Sequence, residues 1–417
     1  MEQGRQRLRL AVDATPLLGA RTGVGTFTSC ALGALAARPD LDVRAFAVSW
    51  RRRRGIIPHL PAGVGVVERG MPARPLHLAW RRVDAPTLEW WTGPLDVVHG
   101  TNFVVPPTRH AARVVTVHDL TTVHFPALCD PATLAYPALV RRALARGGWV
   151  HTPSRFVAAE VVEVLGADPD RVRAVHHGVP PVGGDGAAPS TGAHDGAAPA
   201  NGAADRAAPE DGAASPTGGA PEATSGSAGS RPYVLALGTI EPRKDLPSLV
   251  RAFDAVAGER PDLELVVAGP DGWGVGAFEA AVEAARHRGR VRRVGWLAGR
   301  DRDRLLRGAH VFAYPSLYEG FGLPPLEAMA AGVPVVTTTA GALPEVVGDA
   351  AVLVPVGDVD SLAEALARVV DDDDVRAGLV ERGRRRVAAF SWESCAEGLA
   401  GVYHEAAGSV RRGGRGG

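Results

Sequence analysis

Cysteine is nearly absent. The three that occur in 417 residues, Cys30, Cys129 and Cys395, stand far apart. That spacing excludes a disulfide framework and a cysteine-based metal site, and it points to a reducing compartment. Net charge is lacking too: 46 basic side chains meet 46 acidic ones. A nucleic-acid binder that relies on bulk electrostatics is thereby excluded. No apolar run approaches the roughly 20 residues that cross a bilayer. Met1 to Leu10 alternates basic residues with leucine and has no signal-peptide core. A cytoplasmic protein is expected. The dinucleotide fingerprint is also missing, since after Gly23-Val24-Gly25 its third glycine would fall at Thr28. No metal spacing is seen; His176 and His177 are adjacent but have no further ligands near them.

What is present reads as two α/β units. Leu8 to Asp13, Val43 to Val48, Leu95 to His99, Arg113 to Val117, Trp149 to Thr152 and Arg171 to Val175 are short apolar runs typical of buried parallel strands. A glycine-rich loop with Gly19, Gly23 and Gly25 follows the first strand, and a helix is expected over Ser29 to Ala37. The loop is either a turn or a phosphate or sugar site. His118-Asp119 ends a strand, where polar side chains face the ligand crevice of an open sheet. His118 can touch a sugar hydroxyl there, while Asp119 caps the next segment. Ser154 is a natural helix N-cap. Arg51 to Arg54, with Trp50, Trp80, Trp90, Trp91, Arg81 and Arg82, form either a solvated surface with core aromatics or an acceptor site at an anionic membrane surface.

Composition breaks sharply at Pro180. Up to Ser230 the chain is Gly, Ala, Pro, Asp, Ser and Thr, with an Asp-x-Ala-Ala-Pro unit recurring at Asp185, Asp195 and Asp205. Such a segment buries too little apolar surface to offset its conformational entropy, so a disordered insertion is expected. The expected division is an N-terminal domain over 1–180, the insertion over 181–230, a second domain over 231–390, a helix over 391–410, and a flexible tail over 411–417.

The second unit carries the densest signal. Tyr233 to Gly238 is a strand, followed by Thr239-Ile240-Glu241-Pro242-Arg243-Lys244 and a helix. Arg243 and Lys244 sit at a strand-to-helix loop, where a diphosphate needs cations. The run Tyr314-Pro-Ser-Leu-Tyr-Glu319-Gly-Phe-Gly-Leu-Pro-Pro-Leu-Glu327-Ala-Met-Ala follows another strand. Pro324 and Pro325 suit only the first turn of a helix. The N–H groups of Gly320, Phe321, Gly322 and Leu323 lie at that helix's N-terminus, where unpaired donors and the dipole favour an anion. Two carboxylates beside a phosphate cradle imply hydroxyl-rich groups flanking it. The plainer alternative makes Glu319 a turn residue and Glu327 a solvated one.

This run, with Glu319 and Glu327 eight positions apart, resembles the signature of retaining glycosyltransferases of family four, which have the GT-B fold of two Rossmann-like domains facing across a cleft. The resemblance implies transfer of a hexose from a nucleoside diphosphate sugar to a hydroxyl. It implies Glu327 on the ribose, Glu319 on the sugar, and Lys244 on the diphosphate within a Gly238-x5-Lys244 motif that includes Thr239. It places a loop with Gly23 and Gly25 over the donor, and His118 near the transferred sugar. Trp296 and Leu297 are implied at the base, with a core role open. The family's usual arginine after the glycine is Thr239 here; Arg243 is its candidate replacement. No cofactor and no metal are implied. The Gly-Thr-Ile-Glu-Pro-Arg-Lys variant is similar to mannosyl- and rhamnosyltransferases of polysaccharide assembly, so GDP-mannose is the first donor expected, with a glycan or lipid-linked acceptor. A sugar-nucleotide epimerase of the same fold, a phosphorylase and a non-catalytic glycan-binding protein are the alternatives. The Gly341-x-x-Pro344-Glu345 step also matches the family, with Glu345 read as a helix cap, and the resemblance implies that the 391–410 helix crosses back to the first domain.

Overall fold

The computed structural model describes residues 7–18, 23–129, 131, 133–180, 231–297 and 299–413. The expected insertion over 181–230, Gly19 and residues 414–417 lie outside the described residues.

Both halves are parallel sheets layered with helices. In the first, β1 (Leu8–Asp13), β2 (Leu41–Phe46), β3 (Gly65–Val66), β4 (Val97–Gly100), β5 (Ala112–Thr116), β6 (Trp149–Thr152) and β7 (Val172–Ala174) run in the order β3-β2-β1-β4-β5-β6-β7. In the second, β8 (Tyr233–Leu237), β9 (Glu264–Ala268), β10 (Val291–Gly295), β11 (Val311–Tyr314), β12 (Val335–Thr338) and β13 (Ala351–Val354) run in the order β10-β9-β8-β11-β12-β13. Every paired strand is parallel. The cause is in the sequence: runs such as Val311-Phe312-Ala313-Tyr314 are buried throughout, as strands covered on both faces must be. The two orders share one topology, each reversing direction beside its first strand.

Local chemistry sets the helix starts. Ser154 caps Arg155–Leu165, its Oγ accepting from Val157 N–H, worth about 1 kcal/mol. Asp358 and Asp372 cap Val359–Asp371 and Asp373–Val387 in the same way. Pro324 and Pro325 fall in the first turn of Leu323–Ala330, as expected. Two expectations need correction. The helix expected from Ser29 starts at Gly23, so Gly23 and Gly25 belong to its first turn and not to a preceding loop. The terminal helix, Trp392–Gly413, continues through the residues expected to begin a flexible tail.

That terminal helix does cross back. Leu399, Tyr403 and Ala406 enter the first domain's core with Phe27, Leu32 and Val114. A buried chain of polar groups fixes it. His151 Nε2 donates to Val175 O (3.0 Å), so its Nδ1 accepts from Thr116 Oγ1 (2.9 Å). Thr116 in turn accepts from His99 Nε2 (2.7 Å), and His99 Nδ1 accepts from Tyr403 OH (2.7 Å). Burial holds both imidazoles neutral: it lowers His99 well below its ordinary range and His151 to about 3.

Candidate active site

Open parallel sheets hold ligands beyond the carboxyl ends of their strands, where the strand order reverses. Each sheet has a hollow at that point. Beyond β8 and β11 lies one lined by Gly238, Thr239, Lys244, Tyr314 and Pro315 among others. Beyond β1 and β4 lies one lined by Asp13, Thr15, His77, Trp80 and Asn102 among others.

At the first hollow a short 3-10 turn, Pro242–Lys244, presents two cations. Lys244 is the only lysine in the sequence. Its Nζ donates to Glu319 Oε1 (2.6 Å) and to the Tyr314 hydroxyl. Arg243 reaches Glu319 Oε1 (2.8 Å) and Glu241 Oε1 (2.6 Å). Two cations and two carboxylates thus share one largely buried cluster of zero net charge. Burial pushes the Glu319 carboxyl up, but Arg243 and Lys244 outweigh it and hold it at about 2. Burial lowers Lys244 and is opposed by Glu319, whereas in Arg243 the attraction of Glu319 and Glu241 overcomes burial. Gly238 has φ +143°, a backbone conformation that glycine adopts freely and residues with a side chain rarely do.

Glu327 lies elsewhere. Its carboxylate pairs with Arg302 of the helix Gly299–Arg307. Burial raises its pKa despite that partner. Nothing in the run Arg300-Asp-Arg-Asp-Arg304 singles out Arg302. Trp296 is 61% exposed, so it is not a core residue, while Leu297 packs against the second domain's core.

The glycine loop behaves differently from the expectation of close approach to a ligand. A side chain at Gly320 would strike the His118 carbonyl oxygen at 1.9 Å, so Gly320 lets the second domain meet the first. Gly322 takes φ +109° at the helix N-cap. Phe321 is buried beside His177 and Phe390. His118, at the opposite wall, donates from Nε2 to Thr101 O (2.8 Å), and burial lowers its pKa. Nδ1 is left as an acceptor. Asp119 caps its own segment, accepting from Thr121 N–H (2.9 Å). Gly23 and Gly25 sit on the first domain at the start of its first helix.

The domains are joined around this loop. Ser154 Oγ donates to Gly320 O (2.8 Å). Leu120 N–H donates to Tyr318 OH (3.0 Å), which donates to Glu160 (2.5 Å). Glu345 does cap a helix, but the helix belongs to the other domain: it accepts from Arg155 N–H and Phe156 N–H (both 3.0 Å) and from His176 Nε2 (2.8 Å). These contacts hold Glu345 at about 2 although burial opposes its charge. Among the described residues no group of His, Cys, Asp or Glu gathers as a metal site, and no helix is long and apolar enough to cross a membrane.

Two family models match the chain: Glycosyltransferase Family 4 over residues 21–182 and Glycosyl transferases group 1 over residues 222–386. O-antigen chain mannosyltransferase B of Escherichia coli is 38% identical over 172 residues, which is 41% of this chain and 45% of that protein. D-inositol 3-phosphate glycosyltransferase of Nocardia farcinica is 31% identical over 316 residues, 72% of this chain and 63% of that one. The chain therefore spans less than two thirds of the length of these curated relatives. Among solved structures, sucrose-phosphate synthase from Thermosynechococcus elongatus superposes with TM-score 0.67 at 20% identity, over 96% of this chain and 99% of that one. Anabaena Alr3699/HepE, solved with UDP-glucose, superposes with TM-score 0.64 at 14% identity, over 96% and 100%. The fold is the two-domain GT-B fold.

Proposed function

On the premise of two glycosyltransferase domains joined in a GT-B fold, we propose that the chain transfers a hexose from a nucleoside diphosphate sugar to a hydroxyl, with retention at the anomeric carbon. The observation that carries this reading is the buried Arg243–Lys244–Glu319 cluster at the point where the second sheet reverses. A diphosphate entering the hollow beside Gly238 meets Lys244, which lines it, with Arg243 joined to Lys244 through Glu319. It takes over from Glu319 as their counter-charge, and Glu319 turns to the hydroxyls of the sugar. Glu327, aimed by Arg302, holds the ribose.

In the reaction the acceptor oxygen bonds to the anomeric carbon while the bond from that carbon to the diphosphate oxygen breaks on the same face. The acceptor's proton passes to the departing phosphate oxygen, so no protein base is required. Lys244 and Arg243 stabilise the charge that develops on the leaving group, the largest electrostatic contribution in such a transfer. His118 Nδ1 accepts from a sugar hydroxyl. Relatives named as mannosyltransferases make GDP-mannose the first donor to try. The acceptor is a glycan or a lipid-linked sugar. A face bearing Trp50 (61% exposed) and Trp90 (75%), with Arg53 donating to the Trp50 carbonyl and Arg69 to the Trp90 carbonyl, suits peripheral contact with the cytoplasmic side of the inner membrane.

The test is to incubate the protein with GDP-, UDP-, ADP- and dTDP-linked sugars and follow diphosphate release, with and without acceptor glycans. Acceptor-dependent release, with an axial product linkage from an axial donor linkage, is expected. Release or isomerisation equal with and without acceptor would favour an epimerase or hydrolase, and no reaction or binding with any donor would end the reading.

A further inference from the structure

Tyr318 belongs to the second domain by sequence and to the first by its side chain. Its ring packs among His124, Phe125 and Phe156, with centroids 5.5, 5.8 and 6.1 Å away. Its hydroxyl accepts from Leu120 N–H (3.0 Å) and donates to Glu160 Oε2 (2.5 Å). The other oxygen of that carboxylate lies 2.7 Å from His124 Nε2, which holds the acceptor in place. Tyr318 is buried, and burial together with the Glu160 carboxylate raises the pKa of its phenol, so the hydroxyl stays a donor. A buried phenol needs partners of this kind. Partners within its own domain would satisfy it equally well, yet these lie across the cleft.

The backbone of the same residue is tied to the cation cluster. Arg243 Nη1 donates to Tyr318 O (2.8 Å), and Leu317 N–H donates to Arg243 O (2.8 Å). The next residue is Glu319, whose Oε1 takes both Arg243 and Lys244. On the facing wall, Leu120 is two residues from His118, whose carbonyl oxygen would be struck by any side chain at Gly320. The short segment 317–320 thus touches the cations, carries the carboxylate between them and abuts the first domain. Each half of the chain has its own sheet and core, and domains built that way move relative to one another unless a large apolar interface joins them. On separation the bonds at Tyr318 OH are lost while the bond at Tyr318 O remains. The segment bearing Glu319 is then held from one side only.

We propose that Tyr318 is a positioning residue: it couples closure of the two domains to the geometry of Arg243 and Glu319, so that the cluster is set for the leaving diphosphate only when the first domain is in place. Such coupling has a chemical use. Cations set for departure in an open cleft would promote loss of the sugar to water, whereas assembly on closure reserves the reaction for a sheltered site. The assignment rests on the transferase reading and adds to it the residue that links the two walls.

The test uses the full chain with Tyr318→Phe, Glu160→Leu, the two combined, and Glu160→Gln, each shown to be folded by a thermal melt. Phenylalanine keeps the ring among its neighbours and removes only the hydroxyl. Tyr318→Phe and Glu160→Leu should each lower kcat for transfer roughly tenfold, with the donor's KM and the affinity for GDP or UDP within about twofold of the parent. The combined variant should be no slower than either alone, since both changes remove one link. Glu160→Gln should keep most of kcat, because glutamine accepts from Tyr318 with its oxygen and turns its amide to His124. A fall in Tm with kcat unmoved, additive losses in the combined variant, Glu160→Gln as slow as Glu160→Leu, or a change confined to nucleotide affinity each overturn the proposal. If the parent chain turns over no donor, the transferase reading falls and the coupling is read from the sole lysine. In protein carrying [13Cε]lysine, Tyr318→Phe should move the Lys244 signal and Glu160→Gln should not; a signal unmoved by Tyr318→Phe overturns the coupling itself.

Discussion

Replacing Glu319 by glutamine separates stability from binding in a direction that is not intuitive. Glu319 Oε1 lies 2.6 Å from Lys244 Nζ and 2.8 Å from Arg243 Nη1. At an effective dielectric of about 20, each contact is worth about 6 kcal/mol of Coulomb attraction before desolvation. Breaking a buried pair costs roughly 3–5 kcal/mol net. Glutamine keeps the shape and one oxygen, so about 3 kcal/mol is the expected loss. For a domain of this size that lowers Tm by about 6–12 °C. The same change leaves Lys244 and Arg243 without their internal counter-charge. A nucleoside diphosphate then binds without displacing a carboxylate, so affinity for the diphosphate should rise about tenfold, and its stabilisation of Tm should exceed that of the parent chain. Turnover should fall roughly 10- to 100-fold, because the sugar loses a charged hydrogen bond. Differential scanning fluorimetry with and without GDP and UDP, calorimetry, and donor turnover read these three quantities. A variant with unchanged Tm and weaker diphosphate binding would refute the cluster as a pre-neutralised phosphate site.

Arg302→Met should raise the donor's KM several-fold with little change in Tm, since Glu327 loses the cation that keeps it ionised; Arg302→Lys should restore most of it, and unchanged steady-state kinetics would deny Arg302 a positioning role. Glu345→Ala should loosen the two domains, because their shared helix cap is lost; solution scattering should report a larger radius of gyration, and kcat should fall together with a rise in KM. The buried histidines make the first domain acid-sensitive. Their folded pKa values lie below the unfolded value of about 6.5, to about 3 for His151 and well below the ordinary range for His99 and His177. The unfolded chain therefore binds more protons, and this stability is complete above about pH 6.5 and is lost as pH falls from there toward 3, by up to about 1.4 kcal/mol per pH unit for each group. Urea titrations at stepped pH measure the slope, and a flat profile across that window would contradict the neutral assignment.

The strands and the topology were legible because both sheets are buried on both faces, so each strand is a continuous apolar run between polar turns. Helix starts were legible wherever a cap or a proline marked them, as at Ser154 and Pro324. Gly23 misled because glycine is read as a loop residue, yet a side chain there would meet nothing within 4 Å, so no close approach demands it. The tail misled because Arg411 and Arg412 look like loop charges, although basic side chains in the last turn suit a helix C-terminus. Of the candidate site residues, Lys244, Arg243 and Glu319 converge as their loops suggest. What the sequence could not show is pairing across distance: Arg302 with Glu327, Tyr318 with Glu160, and Glu345 with a helix of the other domain.

Lys244 is the sole lysine of the sequence, and that singularity makes its proposed grip on a diphosphate directly observable. Protein labelled with [13Cε]lysine carries one lysine Cε–H signal in a carbon–proton correlation spectrum. GDP or UDP should shift this signal, guanosine or uridine alone should not, and the shift should persist in Glu327→Ala at higher ligand concentration. A signal unmoved by every nucleoside diphosphate, while calorimetry on the same sample records binding, would contradict it.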